Sequence, residues 1–158
     1  MILKSLKIFS QNVYKNRLTN TILESNKNFD ILFIQEPPWL IICNIPSSIS
    51  EEGEEIVGAS NYLSWTMFTK TLHTKNNHLR VLTYINIRLI RLHFSFRKDI
   101  FNHRNINLIS FLNCNIMCFL INMYSGDQQS TLKYLKNIEV NLNNILIMTG
   151  DFNIRDNN

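Results

Sequence analysis

Two consecutive prolines, Pro37 and Pro38, close the run ILFIQEPPW, and that stop constrains the chain more than any other feature. Ile31 to Ile34 are apolar without interruption, too few for a helix and too uniform for a strand with one wet face. Proline supplies no N–H to a ladder and bars helical continuation, so the run predicts a short strand buried on both faces. Its last polar residue, Glu36, then falls at the C-terminal end of a rigid element. The same grammar recurs three times: KIFSQN ends at Asn12, FLINMYSGD at Tyr124, and ILIMTGDFN at Asp151 and Asn153. Strand ends are where a rigid scaffold meets solvent, so functional groups gather there.

Between these strands the periodicity changes. LKSLKIFSQNV reads as a strand buried largely on both faces. Residues 15–28 space Leu18, Ile22 and Leu23 as a helical stripe. Residues 40–61 carry Pro46, Ser47, Ser48, Ser50, Gly53 and Gly58 and read as loop. YLSWTMF suits an edge strand and HTKNNHL a turn; RVLTYINI is a further strand. LIRLHFSF alternates, with Arg91, His93 and Ser95 on one side and Leu92, Phe94 and Phe96 on the other. INLISFL and IMCFLINMY form two strands around the turn NCN. Residues 130–143 space Leu132, Leu135 and Leu142 as a helix with Ser130 as its N-cap. This order predicts one layered α/β domain, spanning 1–158, around a packed pair of sheets.

Composition removes several classes. With 45% hydrophobic residues in 158, the chain can bury a real core and is not a disordered segment. Three cysteines, Cys43, Cys114 and Cys118, do not make a disulfide framework. Cys114 and Cys118 read as buried core thiols rather than a metal pair. No apolar run reaches the roughly 20 residues of a membrane helix, and the first residues are too polar for a signal peptide, so an intracellular protein is expected. The formal charge is +4, but residues 70–104 hold eight basic residues against Asp99 alone, a net of +7. Such a block is either the solvated face of strands and turns or a contact for a phosphate backbone. Phe94, Phe96 and Phe101 nearby read as core rather than as base-stacking platforms.

Carboxylate and amide oxygens are hard ligands, suited to Mg²⁺ or Mn²⁺. A lone glutamate after a strand is usually a solvated end group, and a lone GDFN is usually a turn. Four such ends in one chain are harder to explain that way. SQN at 10–12, FIQEPPW at 33–39, RVLTYIN at 80–86, INMYS at 121–125 and GDFNIRD at 150–156 together resemble the endonuclease/exonuclease/phosphatase superfamily. That superfamily includes the exonuclease III-like and DNase I-like enzymes. QEPPW and GDFNIRD are similar in particular to the nuclease domain of non-LTR (LINE-type) retrotransposons. The resemblance implies a four-layer α/β/β/α sandwich of the DNase I-like type and a metal-dependent phosphodiester hydrolase acting on DNA. It implies that Glu36 binds Mg²⁺ or Mn²⁺ and that Asn12 helps to orient metal and phosphate. Tyr124 would contact the scissile phosphate or support the leaving group. Asp151 and Asn153 would orient the attacking water and the transition-state oxygens. A retrotransposon enzyme of this kind would work in the nucleus.

The chain departs from the family at one point. The family's final strands carry a general acid/base Asp–His pair, within a Ser-Asp-His segment that is absent from these 158 residues. His73, His78, His93 and His103 all lie upstream and take no role from the resemblance. The expectation is a fold incomplete at its C-terminus with negligible activity by itself. Two alternatives stand beside the nuclease: a catalytically dead remnant that binds nucleic acid, and a phosphatase of the same superfamily.

Overall fold

The computed structural model describes residues 4–16, 18–38, 47–49, 55–57, 64–68, 79–97, 99–101, 103–126, 131, 133–134 and 145–151. In chain order these form β1 (Ile8–Asn12), α1 (Leu18–Ser25), β2 (Ile31–Gln35), β3 (Ser47–Ile49), β4 (Glu55–Val57), β5 (Trp65–Phe68) and β6 (Val81–Asn86). A 3-10 helix (Ile87–Leu92) follows, then β7 (Ser95–Phe96), β8 (Ile106–Asn113), β9 (Ile116–Tyr124) and β10 (Ile145–Asp151). One mixed sheet runs β1-β2-β6-β5 and a second runs β10-β9-β8-β7, with β3 and β4 as a separate hairpin.

The period of two in β2 builds the layers. Ile31 and Phe33 face the second sheet, where they join Ile85, Ile109, Phe111, Cys118 and Leu120 in one buried cluster. Leu32 and Ile34 face the other way and meet Val13, Ile22, Leu23, Trp65, Leu82 and Tyr84. A strand covered on both faces by apolar layers must be apolar throughout, which is why ILFI shows no alternation. Burying Ile22 and Leu23 of α1 stabilises its docking by about 1.5–3 kcal/mol for each side chain, and the Trp65 indole N–H donates to the Leu23 carbonyl at 3.0 Å. The outer face of the second sheet is covered by a third cluster of Phe101, Ile106, Leu108, Ile121 and Met123, against which Tyr134 packs.

Several expectations are corrected. The helical stripe keeps Ile22 and Leu23 but takes Thr19 in place of Leu18, which is the first residue of the helix and exposed. β1 is the edge strand of its sheet and only partly buried, not buried on both faces. The loop expected over 40–61 contains the β3–β4 hairpin, where Ile49, Ile56 and Val57 supply the β-branched residues that the Pro, Ser and Gly content masked. LIRLHFSF is not one strand. Leu89 and Leu92 are buried three residues apart, the spacing that eclipses on a 3-10 turn, and His93 sits at φ 49. The alternation of faces from Arg91 to Phe96 survives, but only Ser95 and Phe96 pair with β8. Cys118 is buried as expected, whereas Cys114 is exposed in the β8–β9 turn, and both are free. Phe101 is core, and Phe94 packs at the edge of the inter-sheet cluster. Of the helix predicted over 130–143, Thr131, Lys133 and Tyr134 are described and helical; Ser130 and the rest lie outside the described residues, as do Lys70, Lys75 and Lys98 of the basic block. No helix among the described residues is long and apolar enough to cross a membrane.

Candidate functional site

The inter-sheet layer changes character towards one rim. Along β2 the inward positions run Ile31, Phe33, Gln35; along β9 they run Cys118, Leu120, Asn122 and then Tyr124. Buried amides replace hydrocarbon as the strands approach their C-terminal ends. Gln35 Nε2 donates to Asn122 Oδ1 at 2.6 Å and to Ser10 Oγ at 3.2 Å, and Asn122 Nδ2 donates to the Leu82 carbonyl at 2.9 Å. This clasp ties the first sheet to the second immediately beneath the rim, so groups at the two sheets' ends are held at fixed spacing.

Register then collects the strand ends. Parallel pairing sets Asn12 beside Gln35, and Asp151 beside Tyr124. Antiparallel pairing sets the start of β6 beside the end of β2, and Glu36 N–H donates to the Arg80 carbonyl at 2.7 Å. Gly150 is required for this register: with φ at 157, a Cβ there would overlap the Met123 backbone carbonyl on β9. Glu36 holds φ 50, a left-handed conformation that costs a non-glycine residue about 1–2 kcal/mol. Its backbone is pinned on both sides, since Lys15 N–H also donates to the Glu36 carbonyl at 2.7 Å.

The side chains converge. Asn12 Oδ1 accepts from Tyr14 N–H at 2.8 Å, which turns the amide so that its NH₂ faces the site. That NH₂ donates to Glu36 Oε2 at 3.1 Å and to Asp151 Oδ2 at 2.5 Å, bringing two carboxylates from two different sheets onto one donor. Tyr124 Oη donates to Glu36 Oε1 at 3.0 Å. Burial pushes the phenol above its ordinary value, and the hydrogen bond to Glu36 and the Glu36 charge push it the same way; the Arg80 charge opposes them. Tyr124 is therefore a protonated donor across the neutral range. Gly126 lies against this ring, where a Cβ would overlap the Tyr124 hydroxyl. Asp151 is fixed through its backbone, because its carbonyl accepts from Ser125 N–H at 2.8 Å and from Ser125 Oγ at 3.2 Å.

The structure thus brings together Asn12, Glu36, Tyr124 and Asp151; Asn153 lies outside the described residues. One site residue went unrecognised in the sequence. Arg80 places Nη1 at 3.4 Å from Glu36 Oε1, and its guanidinium carbon lies 5.8 Å from the centre of the Tyr124 ring. In the sequence it is one of eight block cations, and it precedes an apolar strand instead of following one. The signal that could have found it is antiparallel pairing, which sets the start of one strand against the end of its neighbour. Other arginines of the block are engaged elsewhere. Arg88 Nη2 pairs with Asp30 at 2.7 Å, and Arg97 Nη2 with Asp99 at 2.6 Å. His103 has its ring 4.8 Å from that of Tyr134, and its Nδ1 accepts from Asn105 N–H at 3.2 Å. No group of three or more His, Cys, Asp or Glu side chains that could hold a metal ion occurs among the described residues.

This pair of mixed sheets, with polar strand ends along one rim, is an α/β fold shared with a solved endonuclease domain. In particular, the chain is similar to the solved endonuclease domain of TRAS1, a telomere-specific non-LTR retrotransposon, with a TM-score of 0.64 and 14% identity over 96% of this chain. The chain spans 60% of that structure's length. No family model matches the chain, and no curated protein does.

Proposed function

We propose that the rim cluster is the metal- and phosphate-binding half of a nucleic-acid phosphodiesterase site, of the kind found in a retrotransposon endonuclease acting on DNA. The observation that carries this reading is the meeting of Glu36 and Asp151 on the single Asn12 NH₂. Two carboxylates drawn this close repel each other unless a positive group lies between them. An amide hydrogen pair answers that need weakly; a hard divalent cation answers it well. The residues fit Mg²⁺ or Mn²⁺ in their donor chemistry, with Glu36 and Asp151 as the holding groups. Such an ion, when bound, supplies Lewis-acid neutralisation of a phosphodiester's developing charge.

The protein's own groups do the remaining work. Asn12 holds the two carboxylates in register; serving instead through its oxygen would require its amide to turn over and release Tyr14 N–H. Tyr124, protonated at neutral pH, can donate to a phosphate oxygen. Asn153, two residues beyond Asp151, is assigned as a second neutral donor that adds no competing negative charge. We also read α1 and the helical segment containing Thr131, Lys133 and Tyr134 as the outer layers of a four-layer α/β/β/α sandwich. Because the chain contains no Ser-Asp-His segment to supply an acid/base pair, we expect it to bind metal and DNA while turning over little by itself.

The test is Mn²⁺ uptake by the purified chain, followed by the loss of the free-ion paramagnetic resonance signal. The wild-type chain should take up one ion. Glu36→Gln and Asp151→Asn should each weaken uptake at least roughly tenfold, as loss of a charged ligand dictates. Equal uptake by all three proteins would refute the assignment. The same samples should leave supercoiled plasmid essentially intact with Mg²⁺.

A further inference from the structure

Arg80 touches both Glu36 and Tyr124 at the rim. Its position gives it a role. The guanidinium stands at the rim with 23% of its side-chain surface still open, so it can reach a bound molecule without leaving the site. It is held on two sides: by Glu36 Oε1 at 3.4 Å, and by the Tyr124 ring 5.8 Å away, within cation–π range. Its backbone is fixed as well, since Arg80 N–H donates to the Arg104 carbonyl at 3.1 Å and the Arg80 carbonyl accepts from Glu36 N–H. A planar cation held this way and still partly exposed is pre-organised for an oxyanion.

Formal charges make the consequence definite. Among the described residues, Glu36 and Asp151 with Arg80 give the cluster one net negative charge. A divalent cation reverses that to one positive charge, and a phosphodiester, with one negative charge, then closes the balance. Without Arg80 the ion-loaded cluster would be neutral and would have no charge to offer a phosphate. The weak 3.4 Å contact to Glu36 is also one that a phosphate oxygen can replace at little cost.

We propose that Arg80 is the phosphate-contacting cation of this site, and that it sets the charge of the cluster so that a divalent ion binds less tightly while a nucleic-acid phosphate binds more tightly. This rests on the reading of the cluster given above. The two halves of the proposal predict effects of opposite sign from one substitution, which general damage to the fold does not produce.

The experiment uses the full chain as wild type, Arg80→Gln and Arg80→Lys. Two quantities are measured: Mn²⁺ affinity, and affinity for a fluorescent double-stranded DNA oligonucleotide of mixed sequence across a range of sodium chloride concentrations. Arg80→Gln should bind Mn²⁺ roughly tenfold more tightly, because one positive charge beside the ion is gone. It should bind DNA roughly tenfold more weakly, and the slope of log affinity against log salt should fall by about 0.9, the signature of one lost phosphate contact. Arg80→Lys should restore the slope, since it keeps the charge. An unchanged salt slope in Arg80→Gln overturns the phosphate contact, whatever the metal does. A reduced slope with unchanged Mn²⁺ affinity overturns the charge-setting half. Should the wild-type chain take up no Mn²⁺, the reading of the cluster as a metal site fails, and the salt slope still decides whether Arg80 touches phosphate.

Discussion

Replacing Asn122 by leucine tests whether the buried amide clasp holds the two sheets in register. Asn122 is fully buried, and its side chain serves both sheets. Its Oδ1 is the closest acceptor for Gln35 Nε2, at 2.6 Å, and its Nδ2 donates to the Leu82 carbonyl at 2.9 Å. Leucine keeps asparagine's heavy-atom branching, so the substitution opens no cavity; its bulkier methyl groups add a packing cost that the double variant below shares. Each buried group left without a partner costs about 1–3 kcal/mol, so two cost about 2–6 kcal/mol. Gln35 keeps Ser10 Oγ at 3.2 Å, which favours the lower half of that range. With a urea slope of about 2 kcal/mol per molar, the unfolding midpoint should fall by about 1–2 M. The decisive arm is the double variant Gln35→Met with Asn122→Leu. Both ends of the clasp then become apolar, and nothing at 35 or 122 is left asking for a partner. The double variant should be more stable than the sum of the singles by at least about 1 kcal/mol, a coupling expected only of groups that share an interaction. Additivity within about 0.5 kcal/mol would refute the reasoning.

Two further outcomes concern Tyr124. Its phenol is raised above the ordinary 10.0, first by burial and then by Glu36. The wild-type minus Tyr124→Phe difference in phenolate absorbance should therefore show a midpoint above 10, and Glu36→Gln should lower it. A raised pKa favours the neutral form in the folded state, so the stability this adds is complete below about pH 10 and is lost as pH rises through the folded value. In Gly126→Ala the added Cβ would overlap the Tyr124 hydroxyl and its ring carbons Cζ and Cε1, so the ring must turn as a unit; the chain should be destabilised, and with the hydroxyl turned away from Glu36 the same midpoint should come down towards 10.

Much of the site was readable in the sequence because its residues follow apolar runs. The uninterrupted ILFI predicts a strand covered on both faces, and that burial fixes where Glu36 must emerge. Asn12, Tyr124 and Asp151 obey the same rule at the ends of β1, β9 and β10. The sheet order was not readable. That β1 and β2 pair in parallel while β6 runs against β2 is decided by long-range packing, and without it Arg80 cannot be distinguished from the other cations around it. The same limit hid the pairing of Arg88 with Asp30, which removes one charge from the basic block. Local signals misled where propensity and context conflicted: Ser and Pro concealed the β3–β4 hairpin, and the alternation of LIRLHFSF concealed a 3-10 turn whose apolar residues also recur on one side.

The most direct test of the central claim is anomalous scattering from crystals of the chain soaked in Mn²⁺. The account predicts one anomalous peak at the rim, bonded to oxygen atoms of both Glu36 and Asp151, with the Asn12 amide displaced from between them. A peak elsewhere, with the two carboxylates still sharing the Asn12 NH₂, would contradict it.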